Sequence, residues 1–144
     1  MTLTDAIERT LDFKAPQDKV WAAIATAPGI CSWFCERIIG DWVPGQTVEM
    51  VWGEFHNKVN VVSSDPMSLF VYRWVPGTPD HELPFEETNM TRVEFHLAPT
   101  ATGTRLRLVE SGFSKLPADH FARCFKDNSS GWDEELEKLV KLFA

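Results

Sequence analysis

Residues 118–144 read ADHFARCFKDNSSGWDEELEKLVKLFA. Phe121, Phe125, Asn128, Trp132, Leu136, Leu139 and Phe143 follow one another at steps of four and three, which keeps them on one face of a helix. An apolar stripe of that length has to cover another apolar surface, and the remaining chain offers strands, so the stripe predicts a long helix laid across a sheet. Asn128 interrupts the stripe with a polar group. Gly131 lies on its flank and costs about 1 kcal/mol against Ala in a helix. It leaves two readings open, a break at residues 128–131 or a close approach to the sheet or a ligand.

The stretch before that helix, GTRLRLVESGF from Gly103 to Phe113, is a tight turn followed by a strand. By the period-2 rule Leu106, Leu108 and Glu110 share one face, and Arg105, Arg107 and Val109 share the other. An acid thus continues an apolar row. A lone buried carboxylate is costly unless it is paired or hydrogen-bonded. Glu110 either marks a polar feature inside an apolar space, or is paired to Arg73 or Arg105, or lies at a solvated strand end.

Toward the N-terminus, Ile7 to Phe13 reads as a strand and Ala15-Pro16 opens a helix with the stripe Val20, Trp21 and Ile24. A second short helix is expected over residues 29–34. Strands follow at 38–43, 47–52, 55–63 and 69–75, separated by Pro44-Gly45, Gly53 and Ser64-Asp65-Pro66. Residues 91–97 and 104–111 complete a hairpin. Between Val75 and Thr91, residues 76–87 are rich in proline and acids; a connection this long is a lid or a mobile loop, with Leu83 and Phe85 placed to cap a pocket mouth. The whole predicts an α+β fold, a curved antiparallel sheet of six or seven strands wrapped around the C-terminal helix, with two short helices after the first strand.

The 144 residues fit one domain, which at this size buries roughly 68–70% of its unfolded surface. Six Trp and ten Phe against one Tyr give bulky aromatics that leave irregular space when packed together. A net charge of −7 lacks the basic footprint of a nucleic-acid binder and disfavours anionic membranes. No signal-peptide core or membrane-length apolar run appears, so a cytoplasmic location without membrane insertion is expected. The three cysteines, Cys31, Cys35 and Cys124, match no zinc or CxxC pattern and are expected as buried thiols.

Several stretches together carry a family resemblance: Phe13-Lys14-Ala15-Pro16, Val20-Trp21-Ala22-Ala23-Ile24, Ser32-Trp33-Phe34, Trp42-Val43-Pro44-Gly45, Tyr72-Arg73-Trp74, residues 103–113 and Asn128 to Trp132. The chain resembles the activator of heat-shock-protein-90 ATPase homologue type of the START-like (SRPBCC) superfamily over nearly its whole length. That resemblance implies a helix-grip fold, like the birch-pollen allergen group, with a pocket between sheet and long helix. Relatives include lipid-transfer domains, aromatases and cyclases. The eukaryotic namesake stimulates the chaperone ATPase with an additional N-terminal domain, so a chaperone partner is implied by resemblance alone.

Enzyme chemistry leaves no signature. GxSxG, HExxH, phosphate-loop and dinucleotide fingerprints are missing from the sequence, and no cofactor, metal or catalytic residue is expected. His56 and His96 fall on strand faces opposite Phe55 and Phe95 and are expected in solvent; His81 lies in the long loop and His120 near the start of the last helix. The expected partner is a small apolar or aromatic ligand. Its chamber would be walled by Trp33, Trp52, Phe70, Tyr72, Trp74, Phe95, Leu108, Phe113 and Trp132, with Glu110 and Asn128 as polar contacts. Alternatives are a protein-interaction module and a cyclase-like enzyme.

Overall fold

The computed structural model describes residues 5–77 and 83–144. In chain order the elements are β1 (Ala6–Phe13), α1 (Gln17–Ala25), α2 (Ala27–Ile30), β2 (Arg37–Ile39), β3 (Thr47–Trp52), β4 (Phe55–Asp65), β5 (Leu69–Trp74), β6 (Thr91–Pro99), β7 (Thr104–Ser111) and α3 (Ala118–Leu142). Seven strands form one antiparallel sheet in the order β1-β7-β6-β5-β4-β3-β2. The α+β helix grip is therefore present, with the two short helices inserted after β1.

Sequence parity decides which face is covered. Phe70, Tyr72 and Trp74 of β5 join Val93, Phe95 and Leu97 of β6 and Leu106 and Leu108 of β7 in one core with Trp132, Leu136 and Leu139 of α3. The other face of β7 carries Arg105 and Arg107, which pair with Asp12 and Glu8 of β1. Between Val61 and Ser63 the β4–β5 register shifts, leaving Val62 exposed. Such a bulge bends its strand and adds to the curvature that α3 needs.

The β6–β7 hairpin shows why its turn needs glycine. Thr100 and Gly103 exchange hydrogen bonds across the turn, and a Cβ on Gly103 would lie 1.9 Å from the Phe13 carbonyl oxygen. Any side chain there would push the hairpin off the end of β1.

Three sequence expectations are corrected. The strand expected over 38–43 ends at Ile39, because Gly40 takes a φ of +116° and turns the chain; Trp42 then points inward, donates Nε1–H to the Ile24 carbonyl and stacks on Phe70 at 5.0 Å. The second helix occupies Ala27–Ile30 rather than 29–34, started by Thr26, whose Oγ1 accepts from the Gly29 N–H. The break considered at 128–131 does not occur, and α3 runs unbroken for 25 residues. Residues 78–82, including His81, fall outside the described residues.

Candidate functional site

β7 ends its inward row in the acid that the sequence marks out. Glu110 is 0% exposed. Its Oε2 accepts from Trp74 Nε1–H at 2.9 Å and from the Thr91 hydroxyl at 2.6 Å; its Oε1 accepts from Trp132 Nε1–H at 2.8 Å. Asn128 Nδ2 reaches both oxygens, at 2.9 and 3.0 Å. The solvated strand end is thereby ruled out, and so are the arginine partners: Arg73 bonds Glu87 and Arg105 bonds Asp12. Among the described residues, its side-chain donors are all neutral.

The arrangement follows from register. Trp74 and Thr91 are directly paired across β5 and β6, and Glu110 is paired with Val93 two residues further along β6. Asn128 and Trp132, four residues apart on α3, come down on the same spot. Asn128 spends its remaining acceptor on the Gly77 N–H at 3.3 Å. One carboxylate therefore joins β5, β6, β7 and α3, and the asparagine extends the connection to the segment after β5.

Above this knot, between the end of the sheet and α3, lies a cleft of about 230 Å³. Its aromatic wall is Phe34, Trp52, Phe55, Trp74 and Trp132. These rings brace one another: Phe34 stacks on Trp132 at 5.2 Å and 2° between planes, while Trp52 meets Trp74 at 6.3 Å and Phe55 at 6.1 Å. Trp52 donates Nε1–H to the Phe34 carbonyl, fixing its plane. Asn57, Asn128, Pro76 and Gly77 supply the polar and backbone part, and Asp127 and Glu135 of α3 supply two acids. Gly131 opens onto the cleft, since a Cβ there would meet nothing within 4 Å.

Of the site residues read from the sequence, Trp52, Trp74, Asn128 and Trp132 line the cleft. Glu110 lies beneath it with both oxygens engaged by protein, leaving it no contact of its own with the cleft. Trp33, Phe70, Tyr72, Phe95, Leu108 and Phe113 are packed into the core behind the cleft wall. Phe95, for example, stands edge-on to Trp132 at 6.0 Å, and Trp33 edge-on to Phe95 at 6.5 Å. Strand parity identifies an inward face but not how far along it the packing is filled.

Phe55, Asn57, Asp127 and Glu135 were not singled out by the sequence reading. Phe55 faces Trp52 across the β3–β4 hairpin, and an aromatic pair flanking a glycine turn was the available signal. Leu83 and Phe85 border an adjoining depression of about 310 Å³ that shares Phe55, Asn57, Pro76 and Gly77 with the cleft.

Among the described residues no group of three or more His, Cys, Asp or Glu is placed to hold a metal. Cys35 and Cys124 are buried and Cys31 is half-buried, with Cys31 and Cys35 Sγ 3.5 Å apart. Burial, reinforced by the Cys31 contact, pushes the Cys35 thiol well up, away from the reactive thiolate. His56 and His96 are partly exposed beside Glu49 and Glu94. No helix among the described residues is long and apolar enough to cross a membrane.

A sheet that grips one long helix over an inward-facing cleft defines the START-like (SRPBCC) class of proteins. Within it, residues 14–144 match the family described as Activator of Hsp90 ATPase homolog 1-like protein, and the chain belongs to that family. Solved structures agree on the fold. Protein MLL2253 from Mesorhizobium loti has a TM-score of 0.77 at 22% identity, with 95% of each chain covered. The Aha1 dimer from Colwellia psychrerythraea has a TM-score of 0.73 at 21% identity, covering 96% of this chain and 95% of that one. DynU16, from the dynemicin biosynthetic locus, has a TM-score of 0.74 at 19% identity; the match covers 96% of this chain but 47% of DynU16. No curated protein matches the sequence.

Proposed function

We propose that this protein binds a small apolar or aromatic molecule in the cleft between the sheet and α3. The observation that carries this reading is the meeting of five aromatic rings with the open space at Gly131. Pockets for small molecules are mostly apolar, with a few polar groups that fix orientation, and Asn57, Asn128, Asp127 and Glu135 are suited to that part. The similarity to a protein of a biosynthetic locus agrees with a small-molecule ligand.

Gly131→Leu tests it. The new side chain enters open space, so the fold should persist, and replacing Gly inside a helix should add up to about 1 kcal/mol of stability. Apolar fluorophores and lipids should quench the tryptophan emission saturably in the natural protein, and Gly131→Leu should abolish that response. An unchanged isotherm in the variant would place binding elsewhere.

A protein-interaction role is the second reading. The family's description favours it, as do Ile39 and Val43, which are exposed at and beside the edge strand β2. Stimulation of a chaperone ATPase that survives Gly131→Leu but is lost in Ile39→Lys would favour that reading over a cleft-based one.

A further inference from the structure

We infer that the ligand is an organic cation, a quaternary or protonated ammonium group attached to an apolar or aromatic body. This rests on the ligand-binding reading above and specifies its chemistry. The first observation is the wall itself. Trp52, Trp74 and Trp132 belong to one cleft with Phe34 and Phe55, and the negative π-face of an indole is the strongest aromatic attractor of a cation.

The second observation is how those indoles are bonded. Trp74 and Trp132 both donate their Nε1–H to Glu110, at 2.9 and 2.8 Å. A hydrogen bond to a carboxylate pushes electron density into the ring, which makes an indole bordering the cleft more electron-rich. N–H donors reach both oxygens of Glu110, so two strong acceptor atoms lie directly under the aromatic floor.

The third observation is the sign of everything else nearby. Asp127 and Glu135 line the cleft, and no Lys or Arg does. The Asp127 side chain makes no hydrogen bond or ion pair among the described residues. Glu135 accepts from the largely exposed Lys138 at 3.1 and 3.2 Å; burial nonetheless raises its carboxyl above the usual value, with the neighbouring Glu134 adding to the rise. Lys58 borders the adjoining depression instead, where its Nζ sits 5.4 Å from the centre of the Phe85 ring. A neutral hydrocarbon would use the rings and leave this potential unanswered. An anion would oppose it, and a cation satisfies both.

Three probes built on one naphthylmethyl body separate these cases: naphthylmethyl-trimethylammonium, its neutral isostere with carbon in place of nitrogen, and naphthylacetate. Binding is read by tryptophan quenching and confirmed by calorimetry. The ammonium compound should bind about tenfold more tightly than the isostere, the scale of a desolvated cation–π contact. Naphthylacetate should bind most weakly. Asp127→Asn and Glu135→Gln should each weaken the cation about threefold and leave the isostere unchanged, and added salt should weaken the cation alone.

Equal affinity for cation and isostere would overturn the charge inference and leave the ligand-binding reading standing. Preference for naphthylacetate would overturn it as well. A cation preference unmoved by salt and by both carboxylate variants would remove Asp127 and Glu135 from the proposal. If none of the three probes binds saturably, the inference and the reading beneath it fall together.

Discussion

Glu110 and Tyr72 are both 0% exposed on the inward face of the sheet, yet the fold treats their polar atoms in opposite ways. The carboxylate collects two indole N–H groups, a hydroxyl and an amide. Among the described residues, the buried Tyr72 hydroxyl has no hydrogen-bond partner. Its ring, however, packs against Trp74 at 4.9 Å, Trp42 at 5.7 Å and Phe95 at 6.2 Å. A charge cannot be left unanswered in such a place, because desolvating it costs far more than desolvating a phenol. The contrast separates a polar group around which the fold is assembled from one that the packing of its ring carries along.

Breaking the answered group should have the largest effect. In Glu110→Gln one oxygen becomes an NH2 and opposes a donor, so at least one buried N–H loses its acceptor; the variant should lose about 1–3 kcal/mol in a denaturant melt. A loss below that range would mean that the surrounding donors rearrange freely. Asn128→Leu should cost less, about 1–2 kcal/mol, since Glu110 keeps three donors and the Gly77 N–H borders a solvent-accessible cleft. Helix content should be unchanged, which circular dichroism can check.

Tyr72→Phe should have the smallest effect and the reverse sign. It removes an unsatisfied atom and keeps the ring, so stability should stay the same or rise by up to about 1 kcal/mol. A clear loss would reveal a partner for the hydroxyl. The same residue sharpens the contrast in alkali. Burial first, then the Glu110 charge, holds the phenol well above its ordinary value of 10.0. The folded phenol therefore stays neutral where the unfolded one ionises, so the stability it confers is complete below that value and is lost as pH rises above it. Because Tyr72 is the single tyrosine, phenolate absorbance should appear only together with unfolding.

The sequence displayed most of the fold because its signals were local and periodic. The stripe from Phe121 to Phe143 placed α3, and alternation placed β5, β6 and β7. β2 was read too long because Trp42 and Val43 look like strand residues, whereas Gly40 redirects them. Within the site, Glu110 and Asn128 stood out as polar interruptions of apolar rows, and they do meet. Trp74 and Trp132 were read as chamber walls but not as donors to Glu110, and Thr91 did not stand out, because in sequence all three look like ordinary core or strand residues. Which aromatic rings border open space and which are sealed behind them depends on packing between distant elements. Parity therefore placed Trp52 and Phe70 on inward rows alike, although one lines the cleft and the other is fully buried.

The knot at Glu110 also bears on the order of folding. Its donors come from positions 18 to 36 residues away, on elements that must already be side by side before any of those bonds can form. Until then the carboxylate keeps its water. Two of those donors, Asn128 and Trp132, arrive only with α3, so its dehydration should be completed when α3 docks on the sheet. Substitutions at Glu110 should accordingly leave the refolding rate nearly unchanged and accelerate unfolding, giving a φ-value close to zero. The residue that holds four elements together would act as a latch closed at the end of folding, and would set how long the native state lasts rather than how quickly it is reached.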